Sequence, residues 1–166
     1  MSNNDFHNTP DSLPTNIGWY LSGYADGEGS FCVSFSPSKR HLLGWEVRPS
    51  FSVSQNGDRA EVIQTFKNYF GCGSIRPDRS DKTIKYEVRS LADLQRVVIP
   101  HFKQYPLMSG KKNDFSQFVK IIQMMFESEH HTREGFSLIV KEAFQMNPSG
   151  KRKFSQKEIL STLKQR

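Results

Sequence analysis

The sequence contains two segments in which apolar and polar residues alternate almost without interruption. They span residues 30–36 and 45–54, and the stretch between them contains Pro37 and Gly44. Strict alternation places one set of side chains on the buried face of a β-strand and the other set on an open face. Two such strands joined by a short loop predict an antiparallel hairpin with a polar outer surface.

Two further segments, 74–79 and 82–89, predict a second hairpin. Both hairpins can join one antiparallel sheet with helices covering one of its faces, which is an α+β fold. The side chains of the second hairpin that we expect to point toward these helices are Ile75, Ile84, Tyr86 and Val88.

Helical spacing of apolar residues predicts the helices. The first begins after Thr15 or Asn16 as N-cap and ends at the glycines of 27–29. Asp58 is expected to cap the second helix, and Pro100 is expected to close a short third helix at 91–98. The later helices are predicted at 112–127, at 133–146 and from Ser155, where Glu158 occupies the capping-box position.

Composition limits the chain to one core. The 166 residues include 13 Phe, and 36% of them are hydrophobic, which is enough for one core rich in aromatic rings. We expect residues 1–14 to form a flexible arm and residues 15–166 a single domain. Only Cys32 and Cys72 are present, which excludes a disulfide scaffold and a zinc finger. Without a long apolar run or a signal-peptide pattern, we expect an intracellular protein with no membrane partner.

The segment 21–29, with the sequence LSGYADGEG, combines features that are unfavourable in an ordinary helix. Gly23 and Gly27 share a helix face, where small residues let a second helix approach closely. Each glycine costs about 1 kcal/mol relative to alanine inside a helix. Glu28 places a carboxylate at the negative end of the helix dipole, which a cation at that point explains. A plainer interpretation, in which the glycines only end the helix, stays open.

This segment resembles the LAGLIDADG motif of homing endonucleases, with Ser22 in place of the commonest Ala and Glu28 where Asp is equally usual. Three more segments resemble the same family in the same order. They are 51–55 with Arg59, 69–75 and 105–115. Together, the likeness covers about Trp19 to Met146.

The resemblance implies an αββαββα core, followed here by C-terminal helices, in which motif helices pair across a two-fold axis. One motif is present, so it implies a homodimer. The residues expected at that interface are Leu21, Gly23, Tyr24 and Gly27.

The resemblance also implies a set of catalytic groups. Glu28 and the carbonyl of Gly27 are expected to hold Mg²⁺ or Mn²⁺, which prefer oxygen ligands. Gln55 is expected to orient water, and Arg59 and Lys111 to stabilise charge on the phosphate. Lys112 is the alternative to Lys111, and Asp26 is expected to support the helix end without binding metal.

The polar face of the sheet is a candidate DNA surface in a chain of net charge +6. Any half-exposed sheet is polar, so a merely solvated face is the alternative. With the motif, arginine and serine side chains on this face are expected to read bases, and loop cations to contact phosphates. The expected base-reading residues are Ser30, Cys32, Ser34, Ser36, Glu46, Arg48, Ser50, Ser52, Arg76, Lys85, Glu87 and Arg89, and the expected phosphate contacts are Lys39, Arg40, Arg79 and Lys82.

The function implied is site-specific cleavage of both strands of a long pseudo-palindromic DNA site by metal-dependent hydrolysis. The alternatives are an RNA-splicing maturase or a relative that binds DNA without cutting it. The expected location is the cytoplasm of a prokaryote or the interior of an organelle. Outside the motif, His130 and His131 favour a helix-capping loop over a metal site. The run 151–153 favours a solvated basic surface, with a position near the DNA backbone as the alternative.

Overall fold

The computed structural model describes residues 16–77 and 82–163. The predicted arm at 1–14 and the predicted DNA contact Arg79 lie outside the described residues, as does the side chain of Arg59. In chain order, the helices and strands are α1 (Ile17–Glu28), β1 (Gly29–Pro37), β2 (Trp45–Asn56), α2 (Glu61–Phe70), β3 (Ser74–Pro77), β4 (Thr83–Val88), α3 (Leu91–Asp93), α4 (Ile99–Gln104), α5 (Lys111–Phe126), α6 (Arg133–Ala143) and α7 (Gln156–Ser161). Short 3-10 turns occur at Gly57–Arg59 and Glu129–His131, and a π-helical turn at Leu94–Val98.

Both predicted hairpins are present, and they join one antiparallel sheet with the strand order β1-β2-β4-β3. Phe31 lies opposite Phe51 across the first pair of strands, and Val53 lies opposite Tyr86 across the second. These side chains are fully buried under the helices, while the residues between them face the other way. The predicted α+β fold, with an open polar face, is confirmed.

The core between the sheet and the helices is built largely from aromatic rings. The ring of Phe31 lies 5.1 Å from that of Phe51, 5.2 Å from that of Phe102 and 5.4 Å from that of Phe118. Burying one such side chain contributes about 1.5–3 kcal/mol, so this cluster joins β1 and β2 firmly to α4 and α5. None of the described helices is long and apolar enough to cross a membrane.

The outer edge of β1 is covered by the segment that follows α6. The side-chain amide of Asn147 donates to the carbonyl of Phe31 at 2.8 Å, and Arg152 donates to the carbonyl of Val33 at 3.0 Å. Arg152 also donates to two carbonyl oxygens at and just beyond the end of α6. The prediction of a solvated basic run at 151–153 is therefore wrong for Arg152, since its guanidinium is occupied by main-chain carbonyls.

Ile75 lies opposite the core residue Tyr86 and so shares its face of the sheet, as predicted, but it is 37% exposed because β3 is an edge strand. Ile84 is half-buried. One prediction near the second hairpin is wrong. Asp58 does not cap α2, because it lies in the 3-10 turn that precedes that helix. The amide of Gly57 donates to the carbonyl of Lys82 at 2.9 Å and holds that turn in place.

The helix predicted to end before Pro100 continues through it. The amide of Ile99 donates to the carbonyl of Leu94, which closes a π-helical turn, and Pro100 then lies in the first turn of α4. Pro100 has no amide hydrogen to donate, and the π-helical turn changes the hydrogen-bond pattern of the helix just before it. The capping box predicted at Ser155 and Glu158 is present at the start of α7.

Candidate active site and nucleic-acid interface

Helix α1 is held against α4 by a buried polar network. The hydroxyl of Ser22 donates to the carbonyl of Tyr105 at 2.7 Å and lies 3.1 Å from Nε2 of His101. Nδ1 of His101 lies 3.1 Å from the hydroxyl of Tyr69. Since the Ser22 proton is used, His101 donates from Nε2 and accepts at Nδ1. Burial lowers the pKa of His101 to about 4, so the ring is neutral near pH 7.

Asp26 joins the last turn of α1 to the loop before α5. Its carboxylate accepts from the amides of Met108 and Ser109, at 2.9 and 2.8 Å, and from the Ser109 hydroxyl. Burial opposes ionisation, but these hydrogen bonds and the charge of Lys111 hold the pKa of Asp26 below its ordinary value. These contacts agree with the helix-end role predicted for Asp26.

Lys111 places its ammonium at the carbonyl end of α1, where it contacts main-chain oxygens and makes no ion pair with Glu28. Its ammonium donates to the carbonyls of Ala25, at 3.0 Å, and Gly29, and lies 3.4 Å from that of Gly27. The last carbonyls of a helix lack partners within it and carry its negative partial charge. Burial lowers the pKa of Lys111, although nearby acids, including Glu28, favour the charged form. The ammonium therefore lies on main-chain oxygens, whereas Lys112 is exposed.

Glu28, the last residue of α1, has a different environment. It is exposed, and its carboxylate has no hydrogen bond or ion pair with any residue in the described part of the chain. Within the same described ranges, no three side chains are grouped to hold a metal ion. One free carboxylate beside helix-end carbonyls supplies oxygen donors of the kind that Mg²⁺ prefers. This donor set fits part of a metal site whose remaining ligands come from elsewhere.

Gln55 brings the end of β2 to α1. Its amide donates to the hydroxyl of Tyr24, and its oxygen accepts from the amide of Asn56 at 2.9 Å. Burial and the nearby charge of Glu28 raise the pKa of Tyr24. Gln55 and Glu28, which are far apart in sequence, therefore both lie next to Tyr24. Arg59 ends the 3-10 turn that follows β2.

The polar face of the sheet carries the predicted base-reading residues in paired rows. Ser34 lies opposite Arg48 across β1 and β2, and Arg76 lies opposite Lys85 across β3 and β4. The loop cations Lys39, Arg40 and Lys82 are exposed. The remaining predicted residues of this face, partly exposed, are Ser30, Cys32, Ser36, Glu46, Ser50 and Ser52, and Arg89 is exposed just beyond β4.

Comparison with known proteins decides which family this architecture represents. The sequence profile described as LAGLIDADG endonuclease matches residues 21–122, which include most of α1, the whole sheet and most of α5. The chain belongs to the LAGLIDADG endonuclease family. In this chain, helix α1 carries the motif of the family.

Named relatives share this LAGLIDADG domain. The homing endonuclease I-ApeII of Aeropyrum pernix is 31% identical over 150 residues, which are 87% of this chain and 88% of I-ApeII. The probable intron-encoded endonuclease 2 of Neurospora crassa is 30% identical over 129 residues, 77% of this chain. The chain spans 28% of the length of that relative. It spans 24% and 26% of two further relatives, a second probable intron-encoded endonuclease of Neurospora crassa and a 50.9 kDa intron protein of Podospora anserina.

Solved LAGLIDADG structures are also similar. I-SmaMI bound to its uncleaved DNA target in the presence of calcium ions has a TM-score of 0.79 at 28% identity. The similarity covers 90% of this chain and 48% of the I-SmaMI chain. This similar structure therefore contains bound DNA and was obtained with calcium, a divalent cation.

The LAGLIDADG helix leaves one stripe of its surface uncovered. Trp19 and Tyr20 are 54% and 51% exposed, and a Cβ atom added at Gly23 or Gly27 would meet nothing within 4 Å. Leu21, expected at the dimer interface, is instead fully buried in the core of its own chain. Helical spacing from Gly27 back through Gly23 reaches Tyr20, so the sequence contained the signal for the exposed residue.

Tyr24, which is also expected at the interface, is half-buried. Its ring lies 6.0 Å from that of Phe66 on the same chain and 6.4 Å from that of Tyr20. It therefore borders the exposed stripe.

Glu87, one of the predicted DNA contacts, is nearly buried. The side chain is on the polar face, but two arginine side chains cover it. Its pairing with Arg89, two residues away, follows from strand spacing, whereas its pairing with Arg76 crosses from β4 to β3 and is not revealed by spacing.

His130 and His131 lie in the 3-10 turn before α6, whose N-cap is Thr132. The Thr132 hydroxyl accepts from the amide of Gly135 at 3.0 Å. The arrangement is the helix-capping loop that the sequence favoured over a metal site.

Proposed function

We propose that this chain is a site-specific endonuclease of double-stranded DNA that cuts both strands of a long pseudo-palindromic site. The observation that carries the proposal is the free, exposed carboxylate of Glu28 at the end of a LAGLIDADG helix whose Ser22 and Asp26 side chains are hydrogen-bonded within the chain. The relatives named as homing endonucleases support the same activity.

The active form is proposed to be a homodimer in which two copies of α1 pair through their uncovered stripes. Gly23 and Gly27 leave open space on this stripe, which allows close approach of a second helix. Tyr20 and Trp19 add apolar surface beside it. In this arrangement, a symmetric pair brings the two Glu28 carboxylates together at the base of the helices.

Two facing carboxylates repel each other, and a divalent cation removes that repulsion. We propose that Glu28 and the Gly27 carbonyl of both copies hold Mg²⁺ or Mn²⁺. When bound, such an ion supplies an activated water and stabilises the leaving oxygen. Gln55, held by Tyr24, is proposed to orient the water. Arg59 and Lys111 are proposed to add positive charge near the phosphate, with Lys111 also fixing the carbonyls of the helix end.

The polar face of the sheet is proposed to bind the duplex. Exposed arginines suit guanine recognition, and the exposed cations Lys39, Arg40 and Lys82 are proposed to contact phosphates of the same duplex. Because the target is DNA and the relatives include probable intron-encoded proteins, we propose that the protein acts inside a cell or an organelle.

The test starts from the unsubstituted protein and a library of randomised duplexes. Binding without metal selects a target, and that target is then incubated with Mg²⁺, with Mn²⁺ or with EDTA. Cleavage of both strands only with metal supports the proposal. Tight, selective binding without cleavage under any of these conditions contradicts it and favours the non-cleaving or maturase alternative.

The homodimer is tested by sedimentation of the protein without DNA. Gly23→Leu is expected to convert a dimer into a monomer of unchanged fold, because space is open at Gly23 within the chain. Ser116→Leu, on the exposed side of α5, is the matched control and leaves the dimer intact. A monomeric unsubstituted chain contradicts the homodimer.

A further inference from the structure

The polar face of the sheet contains one nearly buried carboxylate. Glu87 faces the same way as its register partners Ser52 and Ser74, since the neighbouring Tyr86 and Val88 point into the core. It is nevertheless only 8% exposed. A charged side chain rarely loses its water unless it is paired.

Two arginines bind this carboxylate from opposite sides. Nη2 of Arg76, on β3, lies 2.8 Å from Oε2 of Glu87. Arg89, just after β4, places Nε 2.9 Å from the same oxygen and donates from Nη2 to Oε1 at 3.2 Å. The arginine side chains remain 50% and 63% exposed, so they cover Glu87 and still face solvent.

Both arginines keep donors for a second partner. A guanidinium has five N–H groups, of which these contacts engage one on Arg76 and two on Arg89. A guanine edge takes two parallel N–H donors in one plane, so the orientation of the guanidinium decides whether it can be read. An arginine that is free to rotate also binds phosphate oxygens, and such contacts carry no sequence information.

We propose that Glu87 is a positioning residue that fixes Arg76 and Arg89 as a pair of base-reading groups and does not itself contact DNA. The inference rests on the proposed function, because it requires this face to bind a duplex. The carboxylate also reduces the charge of the cluster from +2 to +1, which weakens attraction to any duplex regardless of sequence. Glu87 thus favours selectivity over general affinity.

Glu46 provides a matched control on the same face. It pairs with Arg48 two residues away, as Glu87 pairs with Arg89, with 2.7 Å between Nη2 of Arg48 and Oε2 of Glu46. The Glu46 side chain is 33% exposed, and Arg48 is its ion-pair partner among the described residues. Glu46→Gln therefore removes the same charge without releasing two arginines.

The experiment selects bound sequences from a randomised duplex library and sequences them. For Glu87→Gln, base preference is expected to fall about tenfold at the positions that Arg76→Ala and Arg89→Ala also affect. Glu46→Gln is expected to change base preference only at positions that Arg48→Ala also affects, and so to leave the positions of Arg76 and Arg89 unchanged. Both glutamine variants are expected to bind an unrelated duplex at least as tightly as the unsubstituted protein.

Thermal unfolding of each variant shows whether it is folded. Glu87→Asp keeps the charge but shortens the side chain, so it is expected to lose preference at the same positions and serves if Glu87→Gln does not fold. Unchanged preference in the folded variant overturns the proposal. So does a loss at a position that neither arginine variant affects, because Glu87 then contacts a base itself. If the unsubstituted protein selects no sequence at all, the proposed function fails, and this inference fails with it.

Discussion

The base of α1 and the open face of the sheet are both polar, but their polar groups are organised in opposite ways. At the base of α1, Asp26 accepts main-chain amides and Lys111 donates to main-chain carbonyls, so that Glu28 alone remains free among the described contacts. On the sheet, serines and arginines lie side by side and mostly face solvent. The first region leaves one carboxylate free, and the second presents many polar side chains together.

This difference agrees with what each region is proposed to do. Chemistry depends on groups that are already in place when charge develops, so the loss of one group is severe. Recognition adds many modest contacts, of which any one can be lost at small cost. Substitutions in the two regions should therefore differ in size and in kind.

The largest expected effect is that of Glu28→Gln. Removing this carboxylate is expected to cost several kcal/mol of transition-state stabilisation, so cleavage of the selected duplex should fall by about 10³-fold or more. Binding without metal should remain, because it depends on the sheet. Glu134→Gln, at an exposed glutamate of α6, is the control and should cut normally. Robust cleavage by Glu28→Gln would move the reactive group elsewhere and break the comparison.

The second prediction concerns the support of α1 by His101. In the unfolded chain His101 has its ordinary pKa of 6.5, whereas in the folded chain burial lowers the pKa of His101 to about 4. The unfolding free energy should therefore fall as the pH drops through this window, by about 3 kcal/mol from this group. Chemical denaturation at several pH values should show a shallower fall for His101→Gln. His131→Gln, at an exposed histidine, should keep the original dependence, and an equal fall in both variants contradicts the assignment.

The third prediction concerns Lys111→Met. The carbonyls of Ala25 and Gly29 lose their ammonium donor, so the unfolding free energy should fall by about 1–3 kcal/mol, with slower cleavage. Lys112→Met, at the exposed neighbour, is the control and should change stability by less than about 0.5 kcal/mol. If Lys111→Met slows cleavage without any loss of stability, the lysine acts on the phosphate alone.

The smallest effect is expected on the sheet. Ser50→Ala, at a half-exposed position of β2, should leave the unfolding free energy within about 0.5 kcal/mol of the original. Affinity for the selected duplex should fall by less than about tenfold, as expected for one hydrogen bond. Complete loss of binding in this variant would show that the face depends on single residues, as the helix base does.

The sequence predicted those parts of the molecule that depend on local periodicity. Alternation at 30–36 and 45–54 assigned the faces of β1 and β2, and the glycines around Glu28 indicated an unusual helix end. Each of these signals lies within a few neighbouring residues, where backbone geometry alone decides the outcome.

Contacts between distant residues were not predictable in this way. Lys111 reaches Gly29 across 82 positions, and no spacing rule links an ammonium to a carbonyl that every residue possesses. The exposure of Tyr20 in place of Leu21 is a different case, since helix phase contained that information. The helix end predicted before Pro100 is wrong because a π-helical turn carries the helix up to this proline.

The covering of β1 by Asn147 and Arg152 has a consequence for how the protein behaves at high concentration. An uncovered outer strand is a template on which another chain can add a strand of its own. Here the carbonyls of Phe31 and Val33 are already occupied by side chains from the segment after α6. A chain shortened to end before Asn147 would keep its four strands but present a bare edge, so its weakness would be aggregation.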